Sequence, residues 1–273
     1  MCDKRLSRNA NDPLSLYFKG VYFENLSAEA VAVTKSSSDA IRYGKAAKSL
    51  HERVLALDPG FTDAYVSLAG DEFARATLPW SIKWLAYLFG IRGDKERAFA
   101  RFEWVAAKGK YRQLDALVVL ALLHSWKGDA GKAIEILRGL HARYPQNYLI
   151  DINMAAILEQ KRNDPQGALQ TYKDLQKNKE SKAWPLCPGE IHYRMGKLYL
   201  GLRDNSLALA QFRQALENRK AERETEPLAY FHMAQIYEDR VDRIQASDCY
   251  RHVLQYQGSE LAKELRITRS KVR

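Results

Sequence analysis

From Pro188 onward, apolar and small residues recur three and four positions apart: Met195, Gly196 and Tyr199, then Ala208, Phe212 and Ala215. The same offsets return after Pro227, as Met233, Ala234 and Tyr237, then Ala246, Tyr250 and Val253. Intervals of three and four place side chains on one face of a helix, so each group predicts a helix with one buried stripe. A short polar break separates the two groups of each set, which predicts two antiparallel helices. The breaks Lys127-Gly128-Asp129 and Leu202-Arg203-Asp204 carry a glycine or polar exit and an aspartate able to cap the next helix.

Upstream the same spacing is looser. Leu117, Leu120 and Ala121 precede Ala133, Leu137, Leu140 and a terminating Pro145, and Ala47 and Val54 precede Pro59, with Tyr65, Leu68 and Ala69 after it. A fifth hairpin joins a helix around Asn153 and Ile157 to one around Ala168, Tyr172 and Leu175, through a turn one residue longer than its neighbours. These offsets resemble the tetratricopeptide pattern: a large residue, a small one and an aromatic on one helix, then a small one and an aromatic on the next. The small residue lets the two helices approach, and the aromatics fill the remaining space.

The predicted fold is therefore all-α, a right-handed α-solenoid of stacked antiparallel helix pairs running through residues 1–273. Residues 1–77 hold N-terminal helices and a degenerate repeat, 94–178 the central repeats and 188–257 two clear repeats, with a capping helix over 258–273. The serine-rich stretch before Ala40 predicts a helix cap at Ser38 or Asp39. An aromatic insert at 78–93 interrupts the period. Its apolar part, Leu78 to Gly90, reads LPWSIKWLAYLFG with one charge, Lys83, between a helix ending near Ala76 and one beginning near Asp94.

The run from this insert through Asn147 resembles a narrower family, that of the mitochondrial outer-membrane protein linked to inclusion-body clearance and of tetratricopeptide repeat protein thirty-nine. The resemblance covers roughly Leu78 to Tyr172. It rests on an apolar segment after a proline, the turn at Gly90, Gly93 and Asp94, and a two-helix unit ending at Pro145. It implies an all-helical repeat protein with a non-enzymatic, adaptor-like role.

Composition changes this picture little, because the 28% of charged residues is ordinary and the 8 prolines leave long stretches free to be helical. The net charge of +10 favours acidic partners or anionic surfaces. Cys2, Cys187 and Cys249 have no paired spacing and read as free thiols, which with the polar N-terminus predicts a cytoplasmic protein. Processing at Cys2 would instead make an extracytoplasmic lipoprotein. The six histidines form no metal motif and no phosphate-cradling glycine loop is present, so no enzyme activity, cofactor or metal is expected.

Function then rests on surface. The first helix of each pair lines the concave side of such a stack, and the positions between the packing residues look into it. Those are Glu190, Tyr193, Lys197 and Leu200, then Leu228, Phe231, Gln235 and Glu238, with Asn153 and Ile157 as counterparts in the preceding hairpin. This lining suits a protein or peptide partner, with Tyr193 and Phe231 as anchors. Two alternatives stay open. One is peripheral membrane attachment through Trp80, Trp84 and Phe89 of the insert together with the basic surface; the other is RNA binding, disfavoured because the basic residues are scattered among acids.

Overall fold

The computed structural model describes residues 2–77, 93–177, 188–217, 225–256 and 261. The insert expected at 78–93 and the capping helix expected at 258–273 fall outside these residues, Gly93 and Leu261 excepted. Among the described residues the chain is helical without strands. Its helices are α1 (Cys2–Leu6), α2 (Pro13–Ala32), α3 (Ser37–Leu57), α4 (Tyr65–Ala76), α5 (Lys95–Lys108), α6 (Gln113–Trp126), α7 (Ala130–Arg143), α8 (Tyr148–Gln160), α9 (Pro165–Lys177), α10 (Pro188–Gly201), α11 (Asn205–Glu217), α12 (Thr225–Asp239) and α13 (Arg243–Gln255).

Four of the turns between paired helices use one device. Gly128 (φ 93°), Asn163 (51°), Arg203 (61°) and Val241 (60°) are left-handed, and each is followed by an aspartate. In all four that aspartate's N–H donates back into the finished helix, Asp129 to His124, Asp164 to Leu158, Asp204 to Tyr199 and Asp242 to Tyr237, each at 2.9 Å. Its carboxylate then accepts from the first turn of the next helix: Asp129 from the Lys132 N–H, Asp164 from Gly167, Asp204 from Leu207 and Asp242 from Gln245. One residue thus stops a helix and the next starts another, so the chain reverses within three or four residues. At the other end of the chain, the cap of α3 is Ser36, whose hydroxyl accepts from the Asp39 N–H. The expected cap at Ser38 or Asp39 is therefore corrected: both lie in the first turn, where Ser36 satisfies the free N–H.

Packing follows the small residues. Ala69, Ala121, Ala155 and Ala234 on the first helices are wholly buried, as are Ala98, Ala133, Ala168 and Ala208 on the second. Gly20 and Gly196 hold the same place as those first-helix alanines, facing His51 and Phe212. The chain divides between Ile136 and Leu137 into two compact units. In the first, Val66, Ala69, Ala98, Phe102, Val105, Ala116, Leu120 and Leu123 form one core, and Leu16, Tyr17, Val54 and Ala64 another. In the second, α8 pairs with α9, α10 with α11 and α12 with α13.

Candidate protein-binding surface

In the second unit the first helices α8, α10 and α12 carry equivalent positions before and after their buried small residue, Ala155, Gly196 and Ala234. On α10 and α12 the positions one residue later are Lys197 and Gln235, both exposed, and four residues later Leu200, half-buried, and Glu238, exposed. Glu190 at the start of α10 accepts from Arg194 Nε at 2.8 Å and from the Thr225 hydroxyl at 2.8 Å, tying α10 to α12. Glu238 accepts from the Tyr250 hydroxyl at 2.7 Å. Phe231 is half-buried, its ring edge-on to Tyr250 at 6.2 Å and to His232 at 5.7 Å.

Three expected lining residues are placed elsewhere. Tyr193 is only 8% exposed: its ring lies 6.0 Å from Phe212 and stacks at 6.0 Å on His232, with its hydroxyl 3.4 Å from His232 Nε2. It joins successive pairs rather than offering an anchor, and burial pushes its phenol up to about 12. The same burial, with the charge of Lys197, lowers His232 from its ordinary value against a hydrogen bond with Gln235 that raises it. Ile157 is buried in the core, and the Asn153 amide donates to its own helix at the Leu149 carbonyl, 2.7 Å away.

For Asn153 and Ile157 the cause is a register one residue off. Counted from Ala155, the equivalents of Tyr193, Lys197 and Leu200 are Ile152, Ala156 and Glu159, all half-buried, and the equivalent of Glu190 is the exposed Leu149. The longer turn before α9 hides this, because counting back from Ala168 shifts the first helix by one. The surface thus combines Leu149, Ile152, Leu200 and Phe231 with Glu159, Glu190, Lys197, Gln235 and Glu238. Trp80, Trp84 and Phe89 lie outside the described residues.

The first unit holds a polar node that sequence spacing did not reveal. Glu24 on α2 lies 2.7 Å from His51 Nε2 on α3 and 2.6 Å from Arg112 Nη1, and Arg112 Nε also reaches Asp115 at 2.7 Å. Arg112 reads in the sequence as one of several loop cations, but its charge is consumed here. No spacing signal could have found this, since Glu24 and Arg112 are 88 positions apart. Among the described residues no helix is long and apolar enough to cross a membrane.

Residues 115–147 and 189–222 each match a tetratricopeptide-repeat family model. Among solved structures, the chain is similar to the APC/C hetero-tetramer Cut9-Hcn1, with 14% identity over 97% of this chain and 44% of that one and a TM-score of 0.60. It is similar to the human IFIT1 dimer with PPP-AAAA, at 15% identity over 98% of this chain and 56% of that one, TM-score 0.56. Pseudomonas aeruginosa PilF matches at 14% identity over 92% of this chain and 97% of its own length, TM-score 0.53. The chain spans about half the length of the first two. At these identities the likeness concerns the fold, which is all-α and of the tetratricopeptide solenoid class. Such repeats generally mediate protein–protein interaction, and this chain carries them at residues 115–147 and 189–222.

Proposed function

We propose that the protein is a non-enzymatic adaptor that holds a segment of a protein partner on the first-helix surface of its C-terminal unit. The observation that carries this reading is the exposed Leu149 and the half-buried Ile152, Leu200 and Phe231 beside exposed polar groups on the same first helices, Lys197, Gln235 and Glu238. Apolar side chains supply binding energy when a partner covers them, while polar ones fix its register. The narrower kinship with the inclusion-body clearance family belongs to the same reading and adds no partner to it. The PPP-AAAA held by human IFIT1 is a poor guide to a ligand here: the carboxylates of Glu159, Glu190 and Glu238 along this surface would repel a polyanion.

The test is site-directed photo-crosslinking in the native lysate. A photoreactive residue in place of Lys197 or Gln235 is expected to capture a protein that the same residue in place of Arg251, on the exposed side of α13, does not. Phe231→Ala should abolish the capture while leaving helicity unchanged. Equal capture from all three positions would overturn the proposal.

A further inference from the structure

The first unit contains a cleft of about 610 Å³ between α2, α3 and α4. The first hairpin is long: twenty-seven positions separate Gly20 from Ala47, against twelve between Gly196 and Ala208, and the added length of α2 and α3, joined by the Ser27 hydroxyl donating to the Ala40 carbonyl and by the stacked rings of Phe23 and Tyr43, lines the cleft beside α4. Ala28, Val31, Ile41 and Ala47 give this cleft an apolar face, while Lys45, Lys48, Asp71 and Arg75 give it a polar one.

The acceptors there are already occupied. Glu24 is held by His51 and Arg112, and Asp71 lies 3.1 Å from Lys48 and 2.7 Å from Arg75. Cations are in surplus: Lys45, Lys48 and Arg75 line the cleft against Asp71 alone, since Glu24 is already met by Arg112, and Lys45 is exposed. An excess of positive charge beside apolar surface favours a segment carrying carboxylates, which bond charged donors more strongly than neutral ones. Val31 and Ile41 on the cleft's apolar face are 61% and 59% exposed, leaving aliphatic surface for a partner to cover. We infer that this cleft is a second docking site, for an acidic protein segment whose aliphatic side chains lie on Val31 and Ile41 and whose carboxylates meet Lys45 and Arg75. The chain's net charge of +10 would speed the encounter.

The experiment titrates fluorescein-labelled heptapeptides that alternate Glu or Asp with Leu or Ile against the full chain, following anisotropy, beside a matched set with Lys in place of the acids. Saturable binding of the acidic set alone is expected, weakened about tenfold by Lys45→Glu or by Ile41→Asp. Both substitutions alter exposed side chains, so circular dichroism and the melting temperature should not move. Phe231→Ala, in the other unit, should leave this binding intact, which separates it from the surface proposed above. The inference is overturned by no saturation with the acidic set, by equal affinity for the basic set, or by indifference to both cleft variants. It is overturned too if octanoate saturates the cleft while the peptides do not.

Discussion

Gly20 faces the ring of His51 so closely that a methyl group on its α-carbon would lie 2.7 Å from the imidazole, and Gly196 stands in the same relation to Phe212, at 2.6 Å. Alanine in a helix interior normally stabilises relative to glycine by up to ~1 kcal/mol. Here the overlap reverses the sign, because the wholly buried Phe212 ring has nowhere to go. Gly196→Ala is expected to cost about 1–3 kcal/mol in urea unfolding. Gly139, exposed on α7 with nothing near its added methyl, is the internal control, where alanine should gain about 0.5–1 kcal/mol.

Asp63, nearly wholly buried, accepts the backbone N–H groups of Lys110, Tyr111 and Arg112 at 3.0, 2.9 and 2.7 Å. It thereby ties the turn leading into α4 to the link between α5 and α6. Asp63→Ala leaves those donors unpaired and should cost about 3 kcal/mol, whereas Asp63→Asn, which keeps one acceptor oxygen, should cost less. Hydrogen exchange checks the local part of the effect: the amides of residues 110–112 should exchange faster in the alanine variant.

Glu24 sets a pH dependence. Burial pushes its carboxyl up, but the hydrogen bond with His51 and the charge of Arg112 outweigh burial and hold it at about 2, below its ordinary 4.5. Because the folded value is the lower one, the unfolded chain takes up the proton first. The stabilisation is whole above pH 4.5 and is lost as pH falls through about 2. Thermal stability should therefore fall steadily across that window, and Glu24→Gln should remove ~3 kcal/mol of that loss. An unchanged slope in that variant would mean the pairing contributes nothing.

The C-terminal pairs were legible because their turns have the standard length, so one offset places Met195 through Ala215 and again Met233 through Val253. The first pair was not, because α2 and α3 are 20 and 21 residues long and His51 takes the place where the later pairs carry an aromatic or leucine. Reading Ala47 and Val54 as a second helix was sound; pairing them with Gly20 needed the structure. The groove residues fared unevenly for a physical reason. Sequence offset tells which way Tyr193 points, but only the neighbouring pair tells that His232 lies across it.

Val241 is the most sharply testable position. It adopts φ 60° at the turn where Gly128 adopts 93°, and its side chain is 75% exposed, so packing offers nothing to offset the conformation. A β-branched residue in the left-handed region costs on the order of 1–3 kcal/mol, since its methyl groups crowd the adjoining carbonyl. Glycine escapes that crowding, though it gives back part of the gain through a freer unfolded chain. Val241→Gly is therefore expected to raise the urea midpoint by about 1 kcal/mol of stability with an unchanged slope. The reciprocal Gly128→Val should lose at least as much. If Val241→Gly is destabilising, the side chain must be covered in solution, and an exposed valine beside the equally exposed Ile244 would then mark a contact rather than a strained turn.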